Sequence, residues 1–212
     1  MIRIRNSDGR IRIMFARRQT LRYLDAMKRS HIIIAIIVIL ALQVLVLYML
    51  DHPFSCRCGN VKIWDGAVSG PENSQHIFDW YTFSHITYGF ILYFFAWLLR
   101  KKFGWTIGTT FLLALLFSAG WEIFENTHYV VSHFQQNTIS SEYYGDSIVN
   151  SLIDNASVAL GFWLAYYIPV SVVIILIIAM EIVAGSAIRD NLFLSAIMFV
   201  HPFPALLKWQ GG

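Results

Sequence analysis

The chain has 212 residues, of which 57% are hydrophobic and 14% charged, with a net charge of +3. A soluble domain usually carries about a quarter charged residues, so this composition excludes an ordinary water-soluble fold, and the length suits one domain with little room for a separate soluble module. The small net charge conceals an asymmetry: residues 1–30 hold nine Lys/Arg against Asp8 and Asp25, and the remainder holds seven basic and eleven acidic groups.

The basic arm, residues 1–30, abuts an apolar run and carries no nucleic-acid-binding motif. Its expected role is to hold the N-terminus in the cytoplasm and to touch anionic lipid headgroups; membrane lipids are the expected partners, and nucleic acid is not. Residues 31–50, HIIIAIIVILALQVLVLYML, contain no Asp, Glu, Lys or Arg. Twenty residues at 1.5 Å rise match a hydrocarbon layer of about 30 Å, and no small-residue cleavage site follows, so this reads as an uncleaved first span. From residue 31 onward the chain reads as one transmembrane helical domain.

Residues 51–79 form a polar loop with Pro53, Gly59, Gly66, Gly70 and Pro71, long enough to suggest function. It holds both cysteines, Cys56 and Cys58, which cannot build a disulfide framework. A local disulfide, two free thiols and half of a metal site all stay open. Residues 80–99 read as a second span closed by Arg100, Lys101 and Lys102, and residues 105–124 as a third. Residues 125–145 are polar without Lys or Arg. Residues 147–168 and 170–188 read as the fourth and fifth spans, ending at Pro169 and at Arg189-Asp190. Residues 191–203 are apolar but short, a re-entrant piece or a tilted sixth span, stopped by Pro202 and Pro204. The expected fold is all-α: a polytopic transmembrane helix bundle of five spans, with a sixth or re-entrant segment open. The positive-inside rule puts the arm and Arg100–Lys102 in the cytoplasm and the loops 51–79 and 125–146 outside.

On that topology the polar residues converge at the outer ends of the spans. Asp79 and His85 open span two, Glu122, Glu125 and Asn126 close span three, and Asp146, Asn150 and Asp154 open span four. Arg189 and Asp190 close span five. Glu122 and Glu125 share a helix face, as do Asp146, Asn150 and Asp154 at four-residue spacing. A charge within the bilayer costs about 2.5–3.5 kcal/mol on insertion scales and faces the bundle interior or a partner, so Asp154, two turns in, is expected to face protein or water. A histidine among carboxylates can hold a divalent metal or supply an acid and a base. The cofactor is unassigned, with a divalent metal open. Candidate roles are Glu122, Asp146 and Asp154 for catalysis, His85, Asp79 and Glu125 for a metal, and Asn150, Asn126 and Arg189 for substrate. Structural readings stand beside these: Asp79 and Asp146 as helix caps, and Glu181 paired with Arg189 as a bolt between helices. No phosphate loop, nucleophile elbow or H-E-x-x-H motif is present. The candidate functions are therefore an outer-face pocket that binds or modifies a lipid or envelope precursor, an ion or proton pathway, and a non-enzymatic scaffold. The sparsely polar inner half of the bilayer counts against the pathway.

The runs GPENSQHIFDWYTFSHITYGF, GWEIFENTHYV, NTISSEYYGDSIVNSLIDNASVALGF and AIRDNLFLSAIMFVHPFPALLKWQ closely resemble a bacterial family of small multi-pass inner-membrane proteins of unknown function, over roughly residues 50–210. That resemblance implies a plasma-membrane location. A looser resemblance is to VanZ-like proteins, through Asp79, His85, Gly89, Glu122, Glu125, Asp146, Asn150 and Gly161. It implies a shared architecture, and the chain departs from it where Glu142-Tyr143-Tyr144 replaces an arginine-bearing segment.

Overall fold

In a computed structural model, which describes residues 29–211, the chain is helical and its long helices are the apolar runs of the sequence. The basic arm up to residue 28 lies outside the described residues. Five helices are long and apolar enough to cross a membrane: α1 (Arg29–Met49), α2 (Tyr81–Phe103), α3 (Ile107–Glu125), α5 (Ile148–Tyr167) and α6 (Val170–Ile188). At 19 to 23 residues each, they span roughly 28–35 Å at 1.5 Å per residue. The chain divides into two units, Met1–Val38 and Ile39–Gly212, and every interaction described below lies within the second.

Among the described residues, three short helices complete the fold. A helix α4 (His128–Asn137) lies within the polar stretch after α3. The open question of a sixth span resolves to two pieces, α7 (Leu192–Val200) and α8 (Pro204–Gly211). At nine residues α7 is far short of the roughly twenty a span needs. Pro204 does not simply stop the chain. It sits at the first position of α8, where its missing N–H would have had no helical partner anyway.

The ends of the helices follow local chemistry. Thr106 Oγ1 accepts from the Thr109 amide, Ser147 Oγ from Asn150, and Asn191 Oδ1 from Leu194, each satisfying an orphan donor in a first turn. α2 ends at Gly104 in the left-handed conformation with Arg100, Lys101 and Lys102 in its last turn, where cations oppose the negative end of the helix dipole.

The central helix is α5, the most buried of the spans, and α2 lies against it at close range. A Cβ added to Gly89 would collide with the Val158 carbonyl, and one added to Gly161 with the Ile86 carbonyl. Without a hydrophobic force between helices in lipid, such close backbone approach through small residues gives van der Waals contact its reach. By contrast α6 exposes Ile174, Ile175, Ile178 and Ile182, as a lipid-facing helix should.

Candidate functional site

Loop 51–79 is long because it does the work of a cap. The four N-terminal amides of α5 would otherwise be orphaned. Ser147 N–H donates to the Ser74 carbonyl, Ile148 to Pro53, and Val149 to Phe54, and Asn150 N–H donates to Ser147 Oγ. The side chains of Gln75 and Asn150 add bonds to the Gly145 and His76 carbonyls. His52 bridges the carbonyls of Asn126 and Asp146 at 2.8 and 3.1 Å. The starts of α2 and α5 and the end of α3 are thereby tied at one end of the bundle.

Several predicted residues serve this framework. Asp79 Oδ1 accepts from the Tyr81 and Thr82 amides, and its own amide donates to Thr82 Oγ1, so it caps α2. Burial, then the nearby Asp146 carboxylate, pushes the Asp79 carboxyl up to about 6. Asp146 does not cap α5, a task that falls to Ser147. Its carboxylate instead accepts from Asn126 Nδ2 at 2.8 Å and the Tyr143 hydroxyl at 2.9 Å, and Asn126 Oδ1 accepts from the Asp146 amide. Burial still holds the Asp146 carboxyl above the usual range. Arg189 is exposed and donates to the Trp209 carbonyl. Glu181 accepts from the Phe193 amide at 3.4 Å, and among the described residues no ion pair joins it to Arg189. Asp190, by contrast, is buried and receives Tyr81, Ser195 and Gln210.

What remains is a group of three. His85 from α2, Glu122 from α3 and Asp154 from α5 each offer one ligand atom, and these lie within 4.8 Å of one another. His85 Nδ1 stands 3.6 Å from Glu122 Oε1, and Nε2 stands 3.8 Å from Asp154 Oδ1. By helix rise they lie roughly 5–9 Å inside the helix ends, a similar depth. Glu122 is fully buried and Asp154 is 3% exposed. Glu122 Oε1 and Asp154 Oδ1 have no hydrogen-bond partner, which is costly for buried carboxyl oxygens. Neither Asp79 nor Glu125 joins this group, although Glu125 lines the adjoining cavity.

A relay from α1 orients the group. Asn155 Nδ2 donates to Gln43 Oε1, Gln43 Nε2 donates to Ser151 Oγ at 2.7 Å, and Ser151 Oγ donates to Glu122 Oε2 at 2.7 Å. With Oε2 held, Oε1 turns toward His85. Sequence reading missed Gln43, though an amide in the middle of the first apolar run was a visible signal.

Beside the group lies a cavity of about 440 Å³. His85, Asp154, Glu125, Asp146 and Asp190 reach it, and Trp121, Phe134, Leu192 and Phe199 form apolar wall. The α7 wall had no signal in the sequence beyond its hydrophobicity. In the loop, Cys56 and Cys58 are paired as a disulfide, and their sulfurs lie with Glu72 and His76 in a second cluster whose ligand atoms are within 4.8 Å of one another. There His76 Nε2 meets Glu72 and Asp65 at 2.9 and 3.2 Å, and the Lys62 amide donates to His76 Nδ1.

Residues 47–212 match the family described as protein of unknown function, DUF2585. A UPF0314 protein of Sinorhizobium fredii is 43% identical over 180 residues, covering 85% of this chain and 90% of that one. A UPF0314 protein of Rhizobium meliloti is 39% identical over 189 residues, covering 89% and 95%. One from Novosphingobium aromaticivorans is 40% identical over 176 residues, covering 80% and 87%. No solved structure matches the chain. The chain belongs to this bacterial family.

Proposed function

We propose that this DUF2585 member is a multi-pass protein of the bacterial inner membrane whose His85–Glu122–Asp154 group holds a divalent metal and binds or modifies a lipid or envelope precursor at the outer face. The observation that carries the reading is the pair of buried, unpartnered carboxylate oxygens, from different helices, aimed at one imidazole beside a cavity. Two carboxylates and a divalent ion sum to zero charge, which removes the cost of burying the acids. Ligand atoms around one ion stand roughly 3 Å apart, so the three close onto it by small side-chain rotations. One nitrogen and two oxygens suit zinc, manganese or iron. Three protein ligands leave positions open for water and substrate, as catalytic sites do. A metal there would supply an activated water or polarise a substrate oxygen.

Orientation rests on the basic arm, placed in the cytoplasm by the positive-inside rule; the site then faces the outer leaflet. Membrane lipids are the partners and nucleic acid is not. The VanZ-like resemblance adds only an expectation of similar architecture.

A second reading of the same group rests on a specific observation: each ring nitrogen of His85 faces a different carboxylate. Glu122–His85–Asp154 would then be an acid–base relay without metal. Metal analysis of the purified full chain after incubation with zinc or manganese separates the two. The metal reading expects about one bound ion, lost in His85→Ala and Asp154→Asn. No bound ion leaves the relay. If Glu122→Gln and Asp154→Asn both fully restore the envelope phenotype of a deletion strain, neither reading survives.

A further inference from the structure

The cavity is one-sided in its chemistry. Four acids line it, Glu125, Asp146, Asp154 and Asp190, with Glu122 behind them, and no Lys or Arg is among its lining residues. Outside the lining, His52 faces the backbone carbonyls of Asn126 and Asp146, and His133 packs against the Phe199 ring. Asp146 and Asp190 are already served by neutral donors. The unmet demand is therefore for donors: Asp154 Oδ1 is an acceptor without a partner, on a side chain 3% exposed that lines the cavity.

Apolar side chains share the lining. Trp121, Phe134 and Phe199 are among them, and Trp121, His133 and Phe134 all pack against the Phe199 ring. At the rim, Ala196 and Val200 of α7 line the cavity and are themselves exposed. An aliphatic chain leaving past that rim would meet the lipid-facing surface without crossing a charged group.

We infer that the cavity takes the head group of an amine-bearing amphiphile, its ammonium donating toward Asp154 and Glu125 and its chain leaving beside Ala196 and Val200. A phosphate head would bring negative charge to a lining whose ionisable side chains, apart from His85 and three tyrosines, are all carboxyls. This assignment rests on the proposed membrane site and deepens it. The two readings compete for Asp154: with an ion at His85, Glu122 and Asp154, the ammonium would be left with Glu125.

The test uses the full chain in nanodiscs of neutral lipid and three probes of equal chain length: hexadecylamine, hexadecanol and hexadecyl phosphate. Binding is measured by competition with a fluorescent long-chain amine, and metal content is measured on the same samples. The expected order is amine first, by at least tenfold over the alcohol, with phosphate weakest. Glu125→Gln should reduce the preference for amine over alcohol several-fold. Ala196→Trp, at an exposed rim position, should weaken all three. Equal or tighter binding of the phosphate, or equal binding of the alcohol, overturns the inference, as does an amine preference that persists in Ala196→Trp, because that amine is then held by the bilayer. Amine preference in metal-free protein supports the inference while sinking the metal reading. Bound metal with phosphate preference sinks the inference alone.

Discussion

Replacing Gly161 by alanine tests whether the α2–α5 contact sets the site. On an isolated helix the change is stabilising by about 1 kcal/mol, because alanine has the higher helix propensity. Here the new methyl would collide with the Ile86 carbonyl, a backbone atom that cannot rotate aside. The two helices must separate by on the order of 1 Å to restore van der Waals contact. Overpacking of this kind costs about 1–3 kcal/mol, so the propensity gain is cancelled or outweighed. The second consequence is the more telling. His85 is the residue before Ile86, and Asp154 lies two turns before Gly161 on the same face, so a displaced α2 carries the imidazole away from Asp154 Oδ1. The 3.8 Å separation would grow beyond the reach of a shared ion. Thermal melting in detergent and metal titration give the two readouts: the expected result is a melting temperature lowered by several degrees and metal affinity lowered at least tenfold. A melting temperature that rises, with metal affinity unchanged, would refute the close-contact reasoning.

Two further outcomes follow from the same geometry. Ser151→Ala removes the donor to Glu122 Oε2 and the acceptor for Gln43; leaving two buried groups unpaired at about 1–3 kcal/mol each predicts a loss of about 2–6 kcal/mol on denaturation in mixed micelles, and Ser151→Thr should recover part of it. Asp79 has its carboxyl raised to about 6 in the folded chain. The native state thus binds a proton that the unfolded chain has released, so this group's contribution is fully present below about pH 4 and is lost as pH rises to about 6. The roughly two-unit shift corresponds to on the order of 3 kcal/mol. Asp79→Asn keeps an oxygen for the Tyr81 and Thr82 amides but cannot ionise. Melting curves from pH 4 to 8 should therefore be flatter for the variant, and an unchanged slope would count against the assignment.

Hydrophobic run length determined the five spans, because a segment of about twenty uncharged residues has few low-energy alternatives to a transmembrane helix. Sequence spacing likewise put His85, Glu122 and Asp154 near corresponding ends of their helices, since rise per residue converts position directly into depth. Spacing alone does not say which acids are already satisfied. Asp79 and Asp146 are acids at the same end of the bundle as Glu122 and Asp154, yet their oxygens are consumed: Asp146 takes the Asn126 amide from 20 residues away and the Tyr143 hydroxyl from three, and Asp79 takes the first amides of α2. That distinction exists only after loop 51–79 folds over the start of α5 and Gly89 meets Gly161. Tertiary structure decided that three polar residues remain unsatisfied together beside a cavity, because hydrogen-bond satisfaction is a property of the packed neighbourhood and not of the residue type.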